Sequence, residues 1–304
     1  MTLNDHLLYT YLYEKGGKLG TVTGQPFEQI SISGRFTILA IDHGSIPRPT
    51  PDPGSRLNRD EEILSAKLSV VETLAADCSA VLADVALAQH SSFLSLPQRQ
   101  HRGLILSVDE SDYGAPTPPP PTVPDLALLE RLCNLGAAAA KVVVYYDRRS
   151  ADAAERRERV SSIVSACTNV GLPLLVEPLP LVDEFGPKWV VAEMAADMAA
   201  CGAGIVKLPL PDEAEEELLA ASEKTTAALG TIPWILLSSG SAFPNFVEKL
   251  EIAMSGGAAG FAAGRSLWDA LIVRPSEPQA KLEAKRRLKQ AVTVVERFPG
   301  SRLQ

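Results

Sequence analysis

Two lysines embedded in apolar runs carry the most reactive chemistry this sequence offers. Lys207 follows Gly204-Ile205-Val206 and precedes Pro209 and Pro211, while Lys141 sits within Ala139-Ala140-Lys141-Val142-Val143-Val144. A buried amine is costly unless it is used, and desolvation together with a neighbouring cation favours its neutral form. A neutral amine is a nucleophile that forms a Schiff base with a carbonyl carbon. Lys207 is placed to be that nucleophile and Lys141 to be its neighbouring cation. The rival reading is that each lysine neutralises an interior carboxylate. Glu177 ends Leu174-Leu175-Val176, just before Pro178, and Asp42 ends Ile38-Leu39-Ala40-Ile41. Either carboxylate could move protons as a general acid/base, or could be an ion-pair partner that fixes a lysine. Asp84 and Asp109 end similar runs and are expected to support these groups rather than react.

A second kind of chemistry lies toward the carboxyl terminus. Ser238-Ser239-Gly240 follows an apolar run and opens a helical stretch, and Gly264-Arg265-Ser266 repeats the arrangement one unit later. Backbone N–H groups at a helix start bind anions, glycine lets an anion approach closely, and Arg265 adds a forked cation. These residues are therefore expected to bind phosphate; the alternative is two ordinary glycine turns. His43 could carry a proton, or could merely cap a turn beside Gly44.

Residues so far apart in sequence can act together only if the fold gathers them. Eight short apolar runs, at 36–42, 79–84, 104–109, 140–147, 172–177, 204–207, 234–239 and 258–265, mostly end in a polar residue. Between most of them lie stretches with helical periodicity, at 60–76, 125–135, 150–170, 188–201, 213–229, 243–255 and 279–298. Alternating strand and helix predicts a single (β/α)8 barrel of the α/β class over residues 35–304, whose strand ends converge on one mouth. Residues 1–34 are expected to form an extension packing on the barrel. The weakest unit is 85–98, which is short and ended by Pro97. The proline-rich stretch at 114–124 is expected to be a stiff loop. Charged helix faces such as Glu155-Arg156-Arg157-Glu158-Arg159 are expected to meet water.

Composition narrows the function. With 304 residues and 46% hydrophobic content the chain can bury one large core. A net charge of -8 argues against a nucleic-acid or anionic-membrane partner. The four cysteines are dispersed without a CxxC pair, and the four histidines are not at ligand spacing, so neither a disulfide framework nor a metal site is expected. No run approaches the length of a membrane span, and residues 1–13 lack the basic-then-apolar order of a signal peptide, so a cytoplasmic location is expected.

Trp234-Ile235-Leu236-Leu237-Ser238-Ser239-Gly240, with Gly260-Phe261-Ala262-Ala263-Gly264-Arg265-Ser266-Leu267-Trp268, resembles the carboxyl-terminal third of the class I sulfofructose-1-phosphate aldolases and their tagatose-1,6-bisphosphate aldolase relatives. Ala140-Lys141-Val142-Val143-Val144-Tyr145-Tyr146-Asp147, Val176-Glu177-Pro178 and Val206-Lys207 fit the same family in the same order. The resemblance spans about residues 35–270. It implies aldol cleavage of a sugar phosphate with no metal or other cofactor, by Lys207 as Schiff-base residue and Glu177 as proton carrier. It also implies a phosphate clamp of Ser239, Gly240, Gly264 and Arg265. The expected partner is a small-molecule sugar phosphate, handled by a homo-oligomer. The chain departs from that family at His43-Gly44, where members usually carry Gln-Arg, and at Pro209, where they carry glutamate. Asp42-His43-Gly44 is closer to archaeal-type class I fructose-bisphosphate aldolases. A transaldolase, a deoxyribose-phosphate-type aldolase and a non-catalytic sugar-phosphate-binding regulator are the alternatives.

Overall fold

The computed structural model describes residues 27–42, 60–96, 102–109, 118–181 and 189–300. Eight parallel strands close into a barrel in sequence order. They are β1 (Phe36–Ala40), β2 (Ala80–Ala83), β3 (Gly103–Ser107), β4 (Ala139–Tyr145), β5 (Leu174–Leu179), β6 (Ile205–Leu208), β7 (Trp234–Leu237) and β8 (Gly260–Ala263). Closure is made by β1 pairing with β8, from Phe36 beside Gly260 to Leu39 beside Ala263.

Ten α-helices accompany them among the described residues: α1 (Asp60–Leu74), α2 (Val85–Gln89), α3 (Ser91–Leu94), α4 (Leu126–Asn134), α5 (Ala153–Asn169), α6 (Trp189–Ala200), α7 (Glu215–Leu229), α8 (Phe243–Ser255), α9 (Arg265–Val273) and α10 (Pro278–Glu296). The weak unit after β2 is the pair of short helices α2 and α3, held by side-chain caps: Asp84 accepts from the N–H of Leu87, and His90 Nδ1 accepts from that of Ser92. Every strand departs from its apolar run by one or two residues at one end or both, and two departures bear on the site. β5 continues through Pro178 to Leu179, and the last run divides, with β8 ending at Ala263 and Arg265 opening α9.

The strands are apolar on both faces because each packs outward on helices and inward on the other strands. Side chains alternate, so one set joins the outer layer and the other fills the barrel. Val142, Val144, Val176, Val206 and Leu236 belong to the outer core with the helices, whereas Ile38, Ile105, Leu175, Ile205 and Ile235 pack together inside. Continuing the inward parity by two residues reaches Asp42 from Ala40, Glu177 from Leu175 and Lys207 from Ile205. A slip of one residue would turn these charges into the apolar outer layer.

The floor of the barrel is closed by Phe27 and Ile30, which pack on Phe36, Ile38 and their inner neighbours. Ser79 Oγ fastens this plug by donating to the carbonyl of Ile30 at 2.8 Å. Gly103 admits it: a Cβ there would lie 2.2 Å from the carbonyl oxygen of Gln29. The rest of the predicted extension, residues 1–26, lies outside the described residues. No helix among the described residues is long and apolar enough to cross a membrane.

The expectation that residues 155–159 form a solvated face is wrong at Arg156, which is 1% exposed. Its guanidinium donates to Asp152 Oδ2, to the carbonyl of Tyr145 at 2.9 Å and to that of Pro118 at 2.8 Å. A buried charge must be paired or hydrogen-bonded, and here the fork ties the proline-rich segment to the end of β4. Residues 114–117 of that segment lie outside the described residues.

Candidate active site

Strand register sets the heights of the charged groups. Leu175 on β5 lies beside Ile205 on β6, which brings Glu177 level with Lys207 two residues further on. Val143 lies beside Glu177, so Lys141 starts one inward layer nearer the floor and must reach upward. Ser107 of β3 stands beside Lys141.

The four residues proposed for chemistry come together as a chain of alternating charge. Lys207 Nζ donates to Glu177 Oε2 at 2.9 Å, and the same oxygen lies 3.3 Å from Lys141 Nζ. Lys141 in turn donates to Asp42 Oδ2 at 2.8 Å. Asp109 Oδ1 stands 3.6 Å from Lys141 Nζ and is held by Ser107 Oγ at 2.8 Å and the N–H of Val143 at 3.2 Å. All four main groups are nearly inaccessible, from 1% at Lys141 to 9% at Asp42. Burial alone would push the Glu177 carboxyl up, but the adjacent charges of Lys207 and then Lys141 outweigh it and hold Glu177 below the ordinary carboxylate range. The cluster can therefore keep an ionised carboxylate in contact with two buried lysine side chains.

Asp84 does not join them. Its carboxylate caps α2 and pairs with Lys67 of α1. Lys67 is itself buried, a charged residue the helical pattern of α1 concealed. His43 and Gly44 lie outside the described residues, whereas Pro209 is buried just after β6.

The residues expected to bind an anion form a second cluster at the rim, where β7 and β8 end. Ser238 to Ser241 make a tight turn closed by the Ser241 N–H on the Ser238 carbonyl at 3.0 Å. Ser239 and Gly240 both take positive φ, 51° and 68°, the pattern of a type I′ turn. The Gly264 N–H donates to Ser238 Oγ at 3.4 Å, joining the two loops. Arg265 is exposed and lies over Gly240: a Cβ there would be 2.8 Å from Arg265 Nη2. Arg265 makes no ion pair with another described residue, unlike Lys141 and Lys207. Helix starts leave first-turn N–H groups without intrahelical acceptors; in α9 that of Leu267 is bonded to the Gly264 carbonyl at 2.8 Å.

Among the described residues, no group of three or more His, Cys, Asp or Glu side chains is placed to hold a metal ion. The arrangement is a buried lysine in contact with a buried carboxylate, beneath a rim where Arg265 is exposed and makes no ion pair with another described residue.

The DeoC/LacD family aldolase model matches residues 36–270. The chain is 27% identical over 241 residues to 2-amino-3,7-dideoxy-D-threo-hept-6-ulosonate synthase 1 of Archaeoglobus fulgidus, covering 79% of this chain and 82% of that protein. It is 26% identical over 242 residues to tagatose 1,6-diphosphate aldolase 1 of Enterococcus faecalis, covering 68% and 72%. In fold it is similar to a Schiff-base-forming fructose-1,6-bisphosphate aldolase, with a TM-score of 0.64 at 20% identity over 88% of this chain and 98% of the other.

Proposed function

The chain belongs to the DeoC/LacD family of aldolases, and from that premise we propose that it is a class I aldolase cleaving a ketose 1-phosphate to dihydroxyacetone phosphate and an aldehyde. Suitable substrates are 6-deoxy-6-sulfofructose 1-phosphate or a ketohexose 1,6-bisphosphate. The observation that carries this reading is the buried chain Lys207–Glu177–Lys141–Asp42, with 2.9, 3.3 and 2.8 Å between successive charged groups.

In this mechanism Lys207 first yields a proton to Glu177, the neutral nitrogen attacks the C2 carbonyl, and the proton it then sheds passes to the new alkoxide, giving a carbinolamine. Glu177 returns its proton to the departing hydroxyl, water leaves and an iminium remains. A base removes the C4 hydroxyl proton; the C3–C4 bond breaks, its electron pair flows into the iminium and the aldehyde departs. The resulting enamine takes a proton at C3, water adds to C2, and dihydroxyacetone phosphate is released with the free amine. Lys141, held between Asp42 and Glu177, supplies a fixed positive charge beside the reacting nitrogen. Ser238, Ser239, Gly240, Gly264 and Arg265 hold the 1-phosphate, so the carbonyl reaches Lys207 already oriented.

A second reading is transfer of the enamine to an acceptor aldehyde, as in a transaldolase; the relative named a synthase favours keeping it. Dependence of product formation on an added acceptor separates the two. The test of the shared chemistry is borohydride reduction with dihydroxyacetone phosphate, followed by peptide mass spectrometry. The expected product is a reduced adduct on Lys207, and an unmodified Lys207 overturns the reading.

A further inference from the structure

Behind the two rim loops, side chains with no part in the chemistry above fasten the loops to each other. Ser266, 3% exposed in the first turn of α9, donates from Oγ to the carbonyl of Ser241 at 2.7 Å. Ser241 is itself folded back, its Oγ donating to the Ser238 carbonyl at 2.8 Å. From the other side, Arg287 of α10 donates through Nη1 to the carbonyl of Ser266 at 3.1 Å and to Asp269 Oδ1 at 2.6 Å. Its Nε donates to Glu283 Oε1 at 3.0 Å. The same guanidinium lies 5.5 Å from the ring centroid of Phe243, the first residue of α8. One arginine thus touches the beginnings of both helices that follow the rim loops, and one serine joins the loops directly.

We propose that Ser266 and Arg287 are positioning residues: a latch that sets the distance between the Ser239–Gly240 turn and Arg265 before an anion arrives. This rests on the reading that the rim binds the 1-phosphate, and it goes further by naming what organises that site. A site whose donors come from two separate chain segments loses affinity when those segments must be ordered on binding. Here β7 and β8 are paired only as far as Leu237 beside Ala262. Beyond that the loops depend on side-chain contacts, and the Ser266 hydroxyl is the shortest one between them.

The test measures the Kd for inorganic phosphate by calorimetry, with KM and kcat for fructose 1-phosphate, in Ser266→Ala, Arg287→Met and Arg265→Ala. Losing one neutral hydrogen bond in the latch should weaken phosphate binding about 3- to 10-fold in Ser266→Ala. KM should rise by more than kcat falls, and borohydride trapping of unphosphorylated dihydroxyacetone should be affected several-fold less. Arg287→Met keeps an alkyl stem against Phe243 and should weaken phosphate in the same way, so it carries the test should Ser266→Ala not fold. If Arg265→Ala weakens phosphate and Ser266→Ala does not, the latch is refuted while the rim site stands. Weakening in Arg287→Met alone refutes it too, since the effect is then the guanidinium's charge. If none of the three weakens phosphate, the reading of the rim falls and the latch falls with it. Equal losses on phosphorylated and unphosphorylated ketones would reduce Ser266 to a structural role and overturn the proposal.

Discussion

Glu177→Gln tests the centre of the site most directly, because the side chain keeps its size and loses only its charge and basicity. The shared oxygen lies 2.9 Å from Lys207 Nζ and 3.3 Å from Lys141 Nζ. At an effective dielectric of about 20 these separations correspond to gross attractions of about 6 and 5 kcal/mol. Most of that is offset by the desolvation of three charges, and removing one partner of a buried pair costs about 3–5 kcal/mol net. The lower end applies here: Lys141 retains Asp42 at 2.8 Å, and only Lys207 loses its sole carboxylate partner among the described residues. A loss of about 3 kcal/mol at pH 7 lowers Tm by roughly 5–10 °C for a chain of this size. The folded value of Glu177 is depressed, so its contribution is complete above the ordinary glutamate value of about 4.3 and fades as pH falls below that through the depressed value. The difference between wild type and variant should therefore be flat from pH 7 to about 5 and shrink below about 4.3. Turnover should drop about 10²- to 10⁴-fold through loss of the proton carrier, while slow borohydride trapping still labels Lys207. Denaturant melts across this pH range, beside the kinetics, provide the check. A difference under about 1 kcal/mol at pH 7, or one that grows on acidification, would refute the charged bridge.

Lys207→Ala should abolish turnover and leave a folded protein, since Glu177 keeps Lys141 at 3.3 Å; activity above about one part in a thousand would move the nucleophile elsewhere. Arg265→Ala should lower kcat/KM for phosphorylated ketoses about 10- to 150-fold, the worth of a charge-assisted contact of roughly 1.5–3 kcal/mol; an unchanged value would remove the anion from that rim. Gly240→Ala should act in the same direction, because φ of 68° strains an alanine and its Cβ would meet Arg265 Nη2 at 2.8 Å. It should raise KM for phosphorylated ketoses well above any change in trapping of unphosphorylated dihydroxyacetone, and equal changes would contradict it. Chelator should leave activity intact, since in the proposed mechanism the iminium is the electron sink; loss restored by zinc would assign the protein to metal-dependent aldol chemistry.

The inner cluster was legible because strands obey a period of two. A lysine or carboxylate that continues the inward parity of an apolar run is aimed at the barrel interior, so Lys141, Glu177, Lys207 and Asp42 could be read from the runs that hold them. Asp84 obeys the same parity yet turns away. Its partners, Lys67 and the Leu87 N–H, depend on how α1 and α2 pack, which no strand pattern encodes. Arg156 was misread for a related reason. A helical charge run shows which face is polar, but not that one member of it will find backbone carbonyls at Tyr145 and Pro118.

Those carbonyls point to the deeper limit on what a sequence discloses. Ser266 and Arg287 act on carbonyl oxygens of Ser241 and Ser266, across 25 and 21 residues, and every residue in a chain carries such an oxygen. Side-chain pairs such as Lys207 and Glu177 leave matching residue types as a trace, whereas a side chain bound to backbone leaves only its own half. Ser266 therefore reads in the sequence as part of a glycine-arginine-serine turn, and Arg287 as one of several cations on α10. Their joint position appears only once β7, β8 and the three helices are assembled. If the latch is right, the property that distinguishes this rim from two unconnected glycine turns is carried by residues that touch neither substrate nor each other's side chains. Substitutions there should separate affinity for the anion from reactivity of the amine, which substitutions within the Lys207–Glu177 pair cannot do.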